Sequence, residues 1–160
     1  MKPEKKIKME NLKLKKQQSD NLLFFGVLLF FLGLVVGLFI PVMANPRMGL
    51  SCHLEGIMNG IFLIVLGLIW NRLELSGRWL RVTYWLTLYG TFANWFAVLI
   101  AAIFNSGKIM PLAGGKEGSP ISEGIVSFLL VSLSLAMLAI CIIIMTGLFK
   151  HIKAKNDNES

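Results

Sequence analysis

Reactive side chains are scarce in this sequence: 160 residues include two cysteines, two histidines and nine Asp plus Glu. Each shortage closes a class of chemistry. Cys52 and Cys141 sit in separate apolar segments, so they do not form a disulfide framework. The pair Cys52-His53 lacks the earlier cysteine of a C-x-x-C-H signal, so any haem is held without covalent attachment. No G-x-S-x-G turn is present, and His151 lies beyond the last apolar run, which leaves no nucleophilic triad. A zinc site would have to use Cys52, His53 and Glu55, and His-x-Glu is a weak match to the three clustered ligands of catalytic zinc. Charge is scarce too. Only 16% of residues are charged, against 55% apolar and a mean hydropathy of +0.67, which excludes an ordinary soluble domain and a disordered chain alike.

What remains is an integral membrane protein. Crossing a hydrocarbon core of about 30 Å takes roughly 20 helical residues. Four stretches qualify, at about residues 21–43, 51–70, 79–105 and 121–149. These runs are long and continuous rather than alternating, which favours helices over barrel strands. The fold class is therefore all-α, an integral membrane four-helix bundle over residues 21–149, between a Lys-rich tail at 1–20 and a polar tail at 150–160. The first run is too long for the apolar region of a cleaved signal and has no small-x-small cleavage site near Ala44, so it is expected to remain as helix one.

The net charge of +7 is distributed asymmetrically. Seven lysines precede the first apolar run; Arg72, Arg78 and Arg81 flank the connection from the second to the third; Lys150, Lys153 and Lys155 follow the fourth. Arg47, Lys108 and Lys116 alone lie on the other side. This is the positive-inside pattern, and it predicts both termini in the cytoplasm of a multi-pass protein of the cell inner membrane. Anionic lipid is the partner such a tail attracts. No nucleic-acid-binding fold accompanies it, so no nucleic acid partner is expected.

Against this apolar background one run is loaded with polar groups: Asn45-Pro46-Arg47-Met48-Gly49-Leu50-Ser51-Cys52-His53-Leu54-Glu55-Gly56-Ile57-Met58-Asn59-Gly60. Polar side chains at membrane depth are expensive unless they face a protein interior or a ligand. At about 100° per residue, His53, Glu55, Gly56, Asn59 and Gly60 share one side of helix two, with an apolar arc opposite. His53 and Asn59 flank the Gly56/Gly60 arc, where another backbone or a flat ligand can approach closely. Helix three places Thr87, Gly90, Thr91 and Asn94 on one side. Asn94 reads either as interhelical glue or, with Asn59, as one of two uncharged carboxamides that orient a small polar group in an apolar pocket.

The other features read structurally. Gly26, Gly33 and Gly37 form a packing stripe on helix one before Pro41, and Ser127, Ser134 and Cys141 form one on helix four. Trp70 and Trp79 bracket a basic turn as interfacial anchors. The Gly- and Pro-rich loop at 106–120 is a lid or a plain connection, and Glu123 belongs to a helix N-terminus. Glu55 can orient His53 or Arg47, or cap the helix start. His53 itself has two readings: a buried histidine satisfied by a neighbouring helix, or the single axial ligand of a haem whose opposite face stays open.

The motifs Asn45-Pro46-Arg47-Met48-Gly49-Leu50, His53-Leu54-Glu55-Gly56, Met58-Asn59-Gly60 and Tyr89-Gly90-Thr91-Phe92-Ala93-Asn94-Trp95 resemble those of hydroxylaminobenzene mutases and, more distantly, styrene oxide isomerases. The resemblance implies a membrane isomerase of four-helix subunits, a homotrimer with haem b at the subunit interfaces. It implies His53 as axial ligand to the iron and Asn59 and Asn94 as pocket residues that act on a small aromatic substrate. The pocket tyrosine of the isomerase branch falls on Val98, which favours arylhydroxylamine over epoxide rearrangement. Ferric haem is then expected to act as a Lewis acid, with Gly56 and Gly60 against the flat cofactor and Arg47 pairing with a propionate or snorkelling at the interface. Epoxide isomerisation, a non-enzymatic haem-binding or assembly role, and haem electron transfer are the competing functions.

Overall fold

The computed structural model describes the backbone of residues 3–159 and the side chains of residues 9–157. Four helices account for most of it: α1 (Pro3–Phe39), α2 (Pro46–Ile69), α3 (Gly77–Phe104) and α4 (Pro120–Glu159). All four are long and apolar enough to cross a membrane. Short 3-10 turns follow α1, at Ile40–Val42 where Pro41 removes a helical donor, and α2, at Trp70–Arg72.

The helices are longer than hydropathy alone marks them. At 1.5 Å per residue, the 37 residues of α1 measure about 55 Å, well beyond a 30 Å hydrocarbon core. The Lys-rich segment is therefore helical from Pro3, and three of its polar residues, Lys15, Gln18 and Ser19, are docked. Ser19 donates to the Gly67 carbonyl at 2.8 Å, Gln18 accepts from the Trp70 indole at 3.2 Å, and Lys15 lies 3.6 Å from Glu74. Four lysines of the expected tail, at positions 2, 5, 6 and 8, lie outside the described side chains. At the other end α4 runs through the expected polar tail to Glu159. Trp70, expected at an interface, is fully buried because Gln18 gives its N–H a partner and Tyr84 packs edge-on against its ring. Trp79 does face outward.

Sequence neighbours pack together: α1 on α2, α2 on α3, α3 on α4. Among the described residues no substantial contact between α1 and α4 closes the array, so the bundle is open rather than a closed ring of four. α3 is central, with 56% of its most apolar window buried; α1 and α4 bury 22% of theirs, although their mean hydropathy of 2.9 is the highest. Such helices expose apolar surface on most sides, as helices in lipid do. α4 buries Val126, Leu133, Ala136 and Ile140, whereas Ser134 and Cys141 of the expected packing stripe face outward.

The α1–α2 contact is the tightest. A Cβ added at Gly56 would stand 2.5 Å from the Gly33 Cα, and one at Gly60 would stand 2.7 Å from the Phe30 nitrogen. The glycines let two backbones touch, which is the packing use of small residues in membranes. By contrast, nothing lies within 4 Å of a Cβ at Gly124. Gly56→Ala is expected to destabilise the protein by about 1–3 kcal/mol, since rigid backbone must move, while Gly124→Ala leaves the midpoint unchanged or raises it. Unfolding in detergent, followed by circular dichroism, compares the two.

Candidate active site

Helix α2 begins earlier than its hydropathy indicates because a cap, not an apolar run, starts it. Asn45 accepts from the Met48 N–H at 3.3 Å and Pro46 occupies the first turn, where its missing N–H carries no penalty. The same Asn45 side chain donates to Asn105 Oδ1 and to the Ala113 carbonyl, both at 3.1 Å, and its backbone N–H reaches the Ala102 carbonyl at 3.0 Å. Asn105 ends α3 in the left-handed conformation, φ 57°, a role asparagine tolerates. One side chain thus joins the start of α2, the end of α3 and the loop between α3 and α4.

That loop is fastened along its length. Glu123 accepts from the Gly118 N–H at 2.8 Å and the Lys108 N–H at 3.1 Å, and Ser106 donates to Ser122 at 2.6 Å. Glu123 does more than favour a helix dipole: it binds loop backbone. Gly114, at φ +76°, keeps open the space beside Arg47, whose Nη1 would lie 3.1 Å from a Cβ there. The Arg47 side chain is exposed. The loop is a tied connection above the outer end of α2.

Below it, α2 sorts its polar groups onto two flanks. On the α1 flank, His53 Nδ1 lies 2.8 Å from the Gly33 carbonyl oxygen. A carbonyl can only accept, so Nδ1 carries the proton and Nε2 presents its lone pair. Nε2 makes no hydrogen bond to the described residues, and the half-buried ring opens on a groove of about 500 Å³ lined by Phe31, Leu34, Leu38 and Leu50. Gly37 makes room for the ring, since a Cβ there would come within 2.7 Å of Nδ1.

On the α3 flank, Glu55 is a hub. Its Oε2 accepts from Asn94 at 2.6 Å and from Asn59 at 3.1 Å, so both asparagines meet on one carboxylate oxygen. Glu55 therefore orients neither His53 nor Arg47 and does not cap the helix. All three side chains are half-buried inside spans of membrane-crossing character. The single observation that Asn59, one turn from Glu55, faces the same way was available from spacing. That Asn94 joins them through the carboxylate was not.

Between the two flanks, α1 occupies the glycine arc. Gly56 and Gly60 meet Gly33, Gly26 and Phe30, so within the subunit they receive a helix backbone and not a flat cofactor. Close packing against α1 leaves no slot there. Trp95 also packs on Gly56 and is buried, with Cys52 Sγ 3.7 Å from its carbonyl oxygen; it belongs to the core. Among the described residues no three of His, Cys, Asp and Glu cluster closely enough to hold a metal ion, which removes the zinc reading.

A family model described as styrene oxide isomerase matches residues 18–149, a span that holds both flanks of α2 and all of α3. The chain is 47% identical over 132 residues to hydroxylaminobenzene mutase HabB of Ectopseudomonas oleovorans, which covers 81% of this chain and 80% of that protein. It is 49% identical over 127 residues to hydroxylaminobenzene mutase HabA of the same organism, covering 78% and 94%. No solved structure matches the chain.

Removing the Asn45 side chain unties three elements at once. Asn45→Ala is expected to lower stability by about 1–2 kcal/mol and to expose the 107–118 loop to protease, read as faster cleavage there than in the parent protein.

Proposed function

The chain belongs to the styrene oxide isomerase family and is an isomerase of the mutase kind, and we propose that it rearranges an arylhydroxylamine such as hydroxylaminobenzene to a 2-aminophenol with haem b as cofactor. The observation that carries this reading is the state of His53. Its Nδ1–H is spent on the Gly33 carbonyl, which fixes the ring orientation and leaves Nε2 without a partner among the described residues, on a ring that lines an apolar groove. An imidazole held this way would suit ligation of the haem iron. Arg47 stands six residues earlier on α2, about 9 Å along the axis, where it would meet an anionic group at the edge of the same cofactor.

The two flanks of α2 also favour an assembly. In one subunit, α1 lies on the Gly56/Gly60 arc that separates His53 from Glu55, Asn59 and Asn94. One copy cannot turn both sets onto one small substrate. In a homotrimer with haem at the subunit interfaces, His53 of one copy would meet the asparagine flank of the next, and the half-exposed polar groups would leave lipid. The membrane arrangement that goes with this places both termini in the cytoplasm, in the cell inner membrane, with basic residues gathered on that side.

Ferric haem, when bound, supplies a Lewis acid that polarises the substrate heteroatom without net redox change. The chain supplies the rest. Asn59 and Asn94 each give one N–H to Glu55 and retain a second, which can hold the substrate oxygen as it moves from nitrogen to the ortho carbon. The apolar walls keep water from capturing a cationic species. Val98, where a tyrosine would assist epoxide opening, is buried in the core and brings no hydroxyl, so the hydroxylamine reaction is preferred to conversion of styrene oxide to an aldehyde.

Purified protein is expected to show a Soret band that His53→Ala abolishes, and to convert phenylhydroxylamine to 2-aminophenol as identified by chromatography. Stoichiometric haem retained unchanged in His53→Ala would show that His53 is not a ligand to the iron. Turnover of styrene oxide alone would replace the hydroxylamine reading by the epoxide one.

A further inference from the structure

We infer that Glu55 is the proton carrier of this rearrangement: it takes the proton from the ring carbon ortho to nitrogen and returns it to nitrogen. The inference rests on the arylhydroxylamine reading above and adds a step that reading leaves without a residue. In the substrate, nitrogen carries one hydrogen and oxygen one; in a 2-aminophenol nitrogen carries two and oxygen still one. The N–O bond breaks and the oxygen, with its hydrogen, bonds to the ortho carbon. That carbon then holds both oxygen and hydrogen, and the ring is left as an imine. Restoring the ring requires the ortho C–H pair to return to it while the C=N pair accepts a proton at nitrogen. No oxidant or reductant enters. One proton travels from carbon to nitrogen, and a group must carry it.

Glu55 is the group placed for this work. It is the single Asp or Glu within α2 and α3, and it sits between the two asparagines assigned to the substrate. Both carboxamides donate to Oε2, which holds the carboxylate in place, while Oε1 accepts no hydrogen bond among the described residues and is left to take a proton. The other candidates are committed elsewhere. His53 Nδ1 is bonded to Gly33, Cys52 Sγ to the Trp95 carbonyl, and Glu123 to loop backbone at the outer end. Carboxamides do not titrate in water's range and cannot serve.

A purely structural bridge between Asn59 and Asn94 would not need an acid. A glutamine carbonyl also has two lone pairs for two N–H groups, without bringing an ionisable group into a span where charge is expensive. Glu55 instead lies half-buried on an outward flank, with Oε2 taken by both asparagines and Oε1 unbonded among the described residues, where a substrate can reach it.

The test uses the purified holoprotein with Glu55→Gln and Glu55→Asp, and phenylhydroxylamine deuterated at both ortho positions. Glu55→Gln keeps the acceptor for both asparagines, so haem spectrum and unfolding midpoint are expected to match the parent. Its kcat is expected to fall by about 10²–10⁴-fold, with KM near the parent value and a ring-deuterium isotope effect that the parent lacks. Glu55→Asp is expected to recover part of the loss. A Glu55→Gln protein with kcat within a few fold of the parent, or one that loses turnover only together with haem and stability, overturns the assignment. A parent protein that leaves phenylhydroxylamine unchanged overturns the arylhydroxylamine reading and this step with it, whereas an active parent and an equally active Glu55→Gln overturn the proton carrier alone.

Discussion

The backbone contact between Gly33 and Gly56 organises the rest of this protein. Because neither residue has a side chain, α1 lies directly on α2, and the Gly33 carbonyl comes close enough to accept from His53 Nδ1 at 2.8 Å. A carbonyl in mid-helix is normally satisfied by its own ladder, but it has a second lone pair to give. The same contact that packs the helices therefore chooses the histidine tautomer. It also divides the polar residues of α2: α1 covers the glycine arc and leaves His53 on one side, Glu55 and Asn59 on the other. Packing and chemistry share one cause.

A carboxylate and two carboxamides inside membrane-crossing helices are costly unless each finds a partner. Here they find one another, and the arrangement is uneven: two donors converge on one oxygen of Glu55 while the other oxygen stays unbonded. The network bridges α2 and α3, so it contributes to the helix pairing, yet its half-exposed position is not one that a lone subunit in lipid would favour. The open array points the same way. Among the described residues α4 packs mainly on α3 and α1 mainly on α2, which leaves broad apolar faces for neighbours or lipid.

The outer end of the molecule is built on a different principle. There, Asn45, Ser122 and Glu123 bind backbone groups of a loop whose apolar anchors are few, Ala113 and the partly buried Met110, while Asn105 and Ser106 join the side chains of Asn45 and Ser122. Hydrogen bonds to helix ends do in that region what glycine contacts do lower down. The opposite end uses the same device, with Ser19, Gln18 and Lys15 satisfying carbonyls and an indole at the end of α2, the turn after it and the start of α3.

Hydropathy and helical spacing were enough to read four membrane-length helices, the polar character of the run from Asn45 to Gly60, the packing stripe of α1 and the family resemblance, because each depends on residue order along one chain segment. Helix ends were less legible: the cap at Asn45 and the helical tails are polar, and hydropathy is blind to polar helix. Partners across helices were not legible at all. That Gly56 and Gly60 receive α1, that Trp70 is buried by Gln18 and Tyr84, and that Asn94 reaches Asn59 only through Glu55 depend on the rotation and approach of separate helices, which no spacing along one helix encodes. The sequence by itself determined which residues could do chemistry; the tertiary structure decided which of them face each other, since only close backbone contact fixes how two helices are turned.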